Sequence, residues 1–301
     1  MRREFNVSSG ARDFFREQVE EYDLLHYGEG RSFMSERLER MIEAVAALGL
    51  PPGAHALEGG CGPGHFLAAL VEAGFHTCGV DTSPQMLAIA SRRIGNLGAG
   101  RVVRLAVADL QRLPFPDDSF DLVCTAGVVE YLEDDAKPLA ELSRVLRPGG
   151  YLLYPITNSW SPLLYADALV EALKRRPRVL SAFNRWLKQL GRPPIRPRHF
   201  RVRTQSPART RRLVTRLALE LSQERYFYFL PLPHPLDRLF PRLSAAVGRR
   251  MDRLARTPLA PLAEGYLLVA QKPLASLREP QGVGERVVFE HSSRSPGSQR
   301  A

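Results

Sequence analysis

The stretch LEGGCGPGHF, residues 57–66, places glycines at alternate positions (Gly60, Gly62 and Gly64) just behind the acidic residue Glu58. A dinucleotide-binding turn has the pattern G-x-G-x-x-G, in which the pyrophosphate sits at a helix N-terminus and the third glycine allows close helix packing. Counted from Gly60, that third glycine would be residue 65, which is His65. The turn is therefore tight and glycine-rich, but its spacing departs from the pyrophosphate pattern.

Around this turn, short apolar strands alternate with helical segments, which predicts a parallel sheet covered on both faces. In such sheets the ligand lies beyond the carboxyl ends of the strands. Glu58, Asp81 and Asp109 each lie at or just past the end of a predicted strand. Apolar strands do not need carboxylates there for stability. We therefore expect a ligand that carries hydroxyls, an amine or a cationic centre.

Composition indicates an ordinary globular protein of 301 residues, with 44% hydrophobic and 25% charged residues. No apolar run is long enough to span a bilayer, and residues 1–20 lack the apolar stretch of a signal peptide. The three cysteines, Cys61, Cys78 and Cys124, form neither a metal-ligand spacing nor an even disulfide framework. These features predict a cytoplasmic, reduced protein without a metal site.

The net charge of +10 is unevenly distributed along the chain. Residues 1–157 hold 15 basic and 22 acidic residues, a net charge of −7, whereas residues 158–301 hold 27 basic and 10 acidic residues, a net charge of +17. This asymmetry favours an anionic partner for the second half, such as a membrane surface, a nucleic acid or a phosphorylated substrate. The alternative is a solvated surface rich in arginine, since only 4 of the 42 basic residues are lysines.

Four ordered motifs carry a family resemblance: ALEGGCGPGHF, GVDTSPQML, VADLQRLPFPDDSFDLV and VVEYLEDDAKPLAELSRVLRPGG, between residues 56 and 150. By these motifs the chain resembles the class I S-adenosylmethionine-dependent methyltransferases, in particular the bacterial group of small-molecule and quinone-type enzymes. The resemblance implies an α/β fold, a Rossmann-like seven-stranded mostly parallel sheet with helices on both faces and a helical cap inserted late in the chain. It also implies S-adenosyl-L-methionine as cofactor and in-line methyl transfer to a small-molecule acceptor, with O- or C-methylation favoured.

The resemblance assigns roles to particular residues. Glu58 would accept a hydrogen bond from the cofactor's amino group, Asp81 would hold the ribose hydroxyls, and Asp109 with the Leu110 amide would read the adenine edge. Small residues at the end of the fourth strand would leave room below the sulfur. The full expected cofactor set is Glu58, Gly60, Cys61, Gly62, Gly64, Asp81, Thr82, Met86, Asp109, Leu110, Ala126 and Gly127.

The chain departs from the family at two positions. Gly59 stands where the family has an apolar residue, and Glu130-Tyr131 stands where it often has a Glu-His pair. A general base is needed only if the acceptor loses a proton in the transition state. Candidates for that base are Tyr131, His199 and His65, with Tyr154 as a further one.

The predicted domain organisation has five parts. They are an N-terminal helical lid (1–50), a cofactor-binding core (51–157), a basic helical cap (158–205), a completion of the sheet (206–272) with a helical insertion at 231–263, and a disordered tail (273–301). The lid is what the family resemblance implies, with Tyr22, Tyr27 and Arg37 as its candidate contacts with the site. The alternative is that this segment packs on the edge of the sheet.

Segments 162–190 and 235–256 combine apolar residues with arginine at helical spacing. This composition suits an interfacial helix, so we hypothesise a lipophilic acceptor and a peripheral contact with an anionic membrane, at the inner membrane surface. The alternative is a cap whose apolar faces meet each other.

Two other functions fit the sequence less well. RNA methylation would use the basic half, but no separate RNA-binding module is present, so a nucleic acid partner is disfavoured. A nicotinamide-dependent oxidoreductase is disfavoured by the glycine spacing. The oligomeric state stays open.

Overall fold

The computed structural model describes residues 32–97, 103–189, 191, 194, 203–229 and 241–274. Within these ranges, strands form a single sheet: β1 His55–Gly59, β2 His76–Asp81, β3 Val103–Val107, β4 Phe120–Thr125, β5 Leu146–Thr157, β6 Glu220–Phe227 and β7 Gly265–Gln271. The helices are α1 Phe33–Ala47, α2 His65–Glu72, α3 Pro84–Gly95, α4 Ala136–Val145, α5 Leu163–Lys174, α6 Pro177–Gln189, α7 Pro207–Arg216 and α8 Pro241–Met251. Short 3₁₀ helices cover Val129–Tyr131, Asp252–Arg256 and Ala260–Leu262.

The strand order is β3-β2-β1-β4-β5-β7-β6. Neighbouring strands run parallel from β3 to β5, while β7 runs antiparallel to both β5 and β6. The predicted seven-stranded, mostly parallel sheet is therefore confirmed. The chain fills the sheet outward from β1 in one direction and from β4 in the other, so the carboxyl ends of β1 and β4 flank the switch point where α/β proteins bind ligands.

Both faces of the sheet are covered, because side chains alternate between them along each strand. Leu57 joins a core that includes Leu139 and Leu142 of α4 and Val214 of α7. Its neighbour Ala56 joins the opposite core, formed with α1 and α2. The first core lies on the face that α4 and α7 cover, and the second lies against the two helices that flank the glycine turn.

Serine-proline pairs begin two of the helices, as the sequence predicts. Ser83 accepts a hydrogen bond from the Met86 amide at 3.3 Å, and Pro84 occupies the first turn of α3. Ser206 accepts from the Arg209 amide at 3.2 Å at the start of α7. Each serine satisfies one of the backbone donors that a helix N-terminus leaves unpaired.

Two strand boundaries differ from the sequence-based expectation. The third strand ends at Val107 rather than Asp109, because the Asp109 carboxylate accepts from the Gln111 amide at 2.9 Å and turns the chain. The sequence Pro148-Gly149-Gly150 predicts a turn before a strand that begins at Tyr151, but the fifth strand begins at Leu146 and continues through a bulge at this sequence, where the Gly149 amide donates to the Lys272 carbonyl at 2.7 Å. Lys272, which follows β7, thus supplies hydrogen-bond partners for Gly149 and Gly150, so that the Pro-Gly-Gly sequence can form part of the strand.

Several expectations fall outside the described residues: the first 31 residues of the predicted lid with Tyr22 and Tyr27, His199, and the tail from residue 275. In the described ranges, no helix is both long and apolar enough to cross a membrane.

The cap returns to the core at a buried carboxylate, Asp135, which precedes α4. Arg203 and Arg209 both form ion pairs with Asp135. The Arg203 amide also donates to the Glu130 carbonyl at 3.0 Å. One carboxylate therefore ties the end of the cap and the start of α7 to the loop that follows β4.

We expect Asp135→Asn to lower the free energy of unfolding by about 2 kcal/mol, the scale of lost hydrogen bonds to a charged group. Urea denaturation followed by circular dichroism measures this change. The matched control is Asp117→Asn, which breaks an exposed pair with Arg144 and should cost less than about 0.5 kcal/mol. Equal midpoints for the two variants would contradict the structural role of Asp135.

Candidate active site

The candidate site lies at the switch point, where the turn after β1 faces the turn after β4. Gly60 has φ +70°, a left-handed conformation that favours glycine. A Cβ atom at Gly60 would lie 2.1 Å from Cγ2 of Val128, so the two turns are in contact. Any larger residue at position 60 would push the turns apart.

The turn after β1 satisfies its backbone donors internally. The amides of Gly60 and Cys61 donate to the Val80 carbonyl at 2.7 and 3.0 Å, and the Gly62 amide donates to Asp81 at 2.9 Å. Pro63 has no N–H, and the Gly64 amide donates to the Cys61 carbonyl at 2.9 Å. The turn therefore has no spare amide for a pyrophosphate, which would need several.

Glu58 is a buried carboxylate at the head of this turn. The Leu67 amide in the first turn of α2 donates to the carboxylate, yet Oε2 has no hydrogen-bond partner in the described part of the protein. Burial, with a smaller contribution from the charge of Asp81, raises the pKa of Glu58 to about 8, although the hydrogen bond from Leu67 and the charge of Arg37 oppose the shift. A buried acceptor of this kind is suited to a cationic donor group on a ligand.

Arg37 reaches the site from α1, outside the sheet, and is itself buried. Its Nη2 atom donates to Sδ of Met34 at 2.9 Å. A Cβ atom at Gly127, where φ is +71°, would lie 2.8 and 3.0 Å from the two Nη atoms of Arg37. The charge of Arg37 lowers the pKa of Glu58 and also that of Glu130 against the effect of burial. A single guanidinium thus lies over the β4 turn, within electrostatic reach of two buried carboxylates.

Asp81 ends β2 and holds the neighbouring turns in place. Its carboxylate accepts from the Ser83 amide at 2.8 Å as well as from Gly62. Burial raises the pKa of Asp81, whereas the hydrogen bonds from Ser83, Gly62 and Thr82 lower it. Both oxygens retain lone pairs on the side away from the backbone, where a diol could donate.

Leu110 explains why residue 59 is glycine. A Cβ atom at Gly59 would lie 2.3 Å from Cδ2 of Leu110 and 3.5 Å from Cδ2 of Leu142. The side chain of Leu110 therefore fills the space that an apolar residue at position 59 would occupy. The glycine at this position is therefore required by the packing of Leu110.

A small cavity of about 10 Å³, roughly the room that one water molecule needs, lies beside Gly127, between the carboxyl ends of β4 and β5 and the returning cap segment. Glu130 and Thr125 contribute buried polar groups, and Oγ1 of Thr125 has no hydrogen-bond partner in the described residues. The hydroxyl of Tyr154 accepts from Nε2 of Gln205 at 2.8 Å. The cavity is therefore a partly polar chamber next to the glycine turns.

The groups in this cavity differ in their proton chemistry. Burial raises the pKa of Glu130 from its ordinary range, and burial raises the pKa of Tyr154 far above neutrality. Tyr154 is consequently a hydrogen-bonding group rather than a base. Glu130 is a buried carboxyl group whose pKa is raised because burial disfavours its ionised form.

The structure places most of the sequence-predicted residues around one crevice. They lie in the last residues of β1 and β2, in the turns after β1, β2, β3 and β4, or in the first turn of α3: Glu58 with the turn to Gly64, Asp81 with Thr82, Met86, Asp109 with Leu110, and Ala126 with Gly127. Tyr131 and His65 do not line the cavity. Among the described residues, no group of three or more His, Cys, Asp or Glu side chains could hold a metal ion.

Four residues with polar groups at the cavity were missed by sequence reasoning: Glu130, Thr125, Arg203 and Gln205. The sequence did point to Glu130, because it belongs to the Glu130-Tyr131 pair that stands where the family often has a Glu-His pair. Arg203 and Gln205 carried none, since only the return of the cap brings them there.

Residues 57–154 match the family model described as a methyltransferase domain. The sheet order and the acidic strand ends agree with this match, so residues 57–154 form a methyltransferase domain. In fold, the chain is similar to a magnesium protoporphyrin IX methyltransferase from Synechocystis crystallised with S-adenosylhomocysteine. The TM-score is 0.56 and the identity 16%, over 87% of this chain and 98% of that one.

Two curated relatives are similar in sequence. A 2-methyl-6-phytyl-1,4-hydroquinone methyltransferase from Synechocystis is 34% identical over 42% of this chain and 42% of its own length. A ubiquinone/menaquinone biosynthesis C-methyltransferase from Laribacter hongkongensis is 30% identical over 50% of this chain and 62% of its own length. This chain matches between 31% and 62% of the lengths of its curated relatives.

The pKa of Glu58 predicts that cofactor binding is linked to proton release. At pH 7 a carboxyl with a pKa of about 8 is mostly protonated, and a bound ammonium group favours its ionised form. Binding of S-adenosylhomocysteine should therefore release up to roughly 0.9 proton at pH 7, and affinity should weaken as the pH falls from 8 to 6. Titration calorimetry in buffers of different ionisation enthalpy measures the release.

Glu58→Gln should abolish both the proton release and the pH dependence. Glu130→Gln removes a second buried carboxyl, on the acceptor side of Gly127, and should leave the release in place. Undiminished release in Glu58→Gln would show that another group titrates.

Proposed function

We propose that this protein transfers a methyl group from S-adenosyl-L-methionine to a small, lipophilic acceptor, by O- or C-methylation. The observation that carries this proposal is the turn at Gly60 to Gly64, which has no spare amide donor but adjoins the unpartnered Oε2 atom of Glu58. That combination suits the ammonium group of an amino acid and does not suit a pyrophosphate. It therefore supports the methyl donor over a nicotinamide dinucleotide.

The residues present fit that cofactor along the whole crevice. Glu58 would accept from the amino group, Asp81 would accept from the ribose hydroxyls, and Asp109 with the Leu110 amide would contact the adenine. Arg37 offers a buried guanidinium for the methionine carboxylate, over the turn at Gly127. The bound sulfonium would supply an activated methyl group, so that the protein's own task is positioning.

The reacting end of the acceptor would enter the space beside Gly127. A hydroxyl placed there can donate to Glu130 or to Oγ1 of Thr125, and the buried carboxylate of Glu130 is the group best placed to take a proton. Apolar Val129 and Ile156 line the same space. The polar groups around this space suit the polar reacting end of an acceptor, and they make Glu130 a better candidate base than Tyr131, His65 or His199.

The lipophilic acceptor also has support from the relatives, two of which are named for methylation of a phytyl hydroquinone and of ubiquinone or menaquinone precursors. In this proposal residues 51–157 bind the cofactor, residues 158–205 cap the acceptor, and the protein works in the cytoplasm at the inner surface of the membrane. The net charge of +17 on residues 158–301 is consistent with that position.

Radiolabelled methyl transfer tests the proposed reaction. The protein and S-adenosylmethionine labelled in the methyl group are incubated with a bacterial lipid extract and, in parallel, with total RNA. We expect label in the organic phase, because the sequence relatives include a phytyl hydroquinone methyltransferase and a ubiquinone/menaquinone biosynthesis methyltransferase. Label confined to RNA would instead support an RNA methyltransferase.

Calorimetry with S-adenosylhomocysteine and with NADH is the control for the cofactor. Binding of the first and no heat with the second are expected. The reverse result would overturn the proposed chemistry and favour an oxidoreductase.

The role of Arg37 can be tested by comparing S-adenosylhomocysteine with 5′-methylthioadenosine, which lacks the amino acid portion. Arg37→Gln should weaken the first ligand about 10- to 100-fold, the scale of lost hydrogen bonds to a charged group, and barely affect the second. Arg40→Gln, on the same helix but paired with Glu36 and Glu43, is the matched control and should bind both ligands normally. Equal weakening of both ligands by Arg37→Gln would indicate general disruption of the crevice.

A further inference from the structure

The helix α5 exposes its apolar side chains to solvent. Tyr165, Leu169 and Leu173 follow one another at intervals of four residues, so they share one face of the helix. Tyr165 is 75% exposed and Leu169 is 63% exposed. The buried side chain of α5 is a charged one, Lys174, which pairs with Glu171 at 2.6 Å. This distribution is the reverse of what a helix packed on a core shows.

The adjoining helix α6 continues the exposed apolar surface. Val179 and Trp186 are both exposed, and the buried residue of this 13-residue helix is Leu187. Trp160, just before α5, is exposed as well. We call the segment from Trp160 to Gln189 the α5–α6 hairpin. Scattered exposed apolar residues are normal on proteins, but a set concentrated on one hairpin marks an interaction surface.

The same hairpin is basic. Its turn carries the exposed residues Arg175, Arg176 and Arg178, and α6 adds Arg185 and Lys188. Counted over residues 160–189, six basic residues face two acidic ones, a net charge of +4. Exposed apolar side chains interspersed with arginines suit the boundary between acyl chains and anionic headgroups.

We propose that the α5–α6 hairpin docks on the surface of a bilayer containing anionic phospholipid, with Tyr165, Leu169, Leu173 and the two tryptophans entering the headgroup boundary. The proposal rests on the proposed function, because it identifies the surface through which a lipophilic acceptor would reach the site. Because the hairpin has a net charge of +4, an anionic bilayer is the partner that complements this surface.

The base of the hairpin is fixed to the wall of the acceptor cavity. Thr157 lines the cavity, and its carbonyl accepts from the Gln205 amide at 3.1 Å. The Ser159 amide donates to the Gln205 carbonyl at 2.9 Å, and the Trp160 amide donates to the side chain of Asn158 at 3.0 Å. A hairpin held on the bilayer would thus keep one wall of the cavity close to the membrane surface.

The chain contains its own probe for this docking. Trp160 and Trp186 are its two tryptophans, and both lie on the hairpin. Their emission should shift to shorter wavelength when vesicles of phosphatidylglycerol and phosphatidylcholine (about 30% anionic, a composition that gives a strong surface potential) are added to the full chain. Vesicles of phosphatidylcholine alone should give a much smaller shift. No shift with the anionic vesicles overturns the proposal.

A matched pair of variants locates the surface. Leu169→Glu introduces a charge at a solvent-exposed position on α5, so it should fold normally and lose most of the flotation with anionic vesicles. Leu243→Glu makes the same change at a leucine that is 58% exposed on α8, another basic helix, and should float like the unmodified protein. Equal loss in both variants, or loss in Leu243→Glu alone, overturns the assignment to the hairpin.

Two further readouts separate the competing explanations. If a second copy of the chain covers the hairpin, the protein will sediment as a dimer that Leu169→Glu dissociates, and vesicles will not change the emission; that result overturns the proposal. Calorimetry with S-adenosylhomocysteine on the same preparations reports the cofactor site alone. Flotation without binding of S-adenosylhomocysteine would support the docking surface and contradict the methyltransferase proposal. Binding of S-adenosylhomocysteine without flotation would support the methyltransferase proposal and contradict the docking surface.

Discussion

The architecture of the site depends on which acceptors pair with the backbone N–H groups of the turn between β1 and α2. The amides of Gly60 and Cys61 donate to the Val80 carbonyl, and the Gly62 amide donates to Asp81. These amides are therefore not free to bind an anion, as backbone amides at such turns otherwise do. What remains at the head of the turn is a buried carboxylate, Glu58. Its desolvation is unfavourable in the free protein and is relieved when a cation arrives, so the site is electrostatically prepared for an ammonium group.

Arg37 lowers the free-energy cost of burying ionised carboxylates at the site. Two carboxylates buried near the β4 turn, Glu58 and Glu130, would both be strongly disfavoured in their ionised forms without a neighbouring cation. The guanidinium on α1 serves both, which links a helix outside the sheet to the cofactor side and to the acceptor side at once. The helix α1 is therefore part of the electrostatics of the site.

The sequence was sufficient to predict the elements that local rules determine. The Ser-Pro helix starts at Ser83 and Ser206, the strand ends at Glu58 and Asp81, and the mostly parallel sheet all follow from short-range patterns and are confirmed. The acceptor cavity could not be predicted in this way. Arg203 and Gln205 lie nearly 50 residues beyond the strand that they approach, and nothing local to them signals that the cap returns there.

The strand boundaries likewise depend partly on local sequence and partly on contacts with distant residues. Asp109 lies outside β3 because its own side chain turns the backbone, and β5 extends across Pro-Gly-Gly because Lys272 of the chain after β7 supplies an acceptor. Both outcomes come from hydrogen bonds that compete with the ladder. The first is local, and the second requires knowledge of the antiparallel edge of the sheet.

The contact between Gly59 and Leu110 has a consequence for how such chains diverge. The two positions share a single volume below the sheet, so a larger residue at 59 is compatible with the fold only if residue 110 becomes smaller. Because the backbone of Leu110 is also expected to contact the adenine, an exchange of bulk between these positions would reach the nucleotide end of the crevice. Substitutions at the two sites are thus expected to be tolerated in pairs and rejected singly.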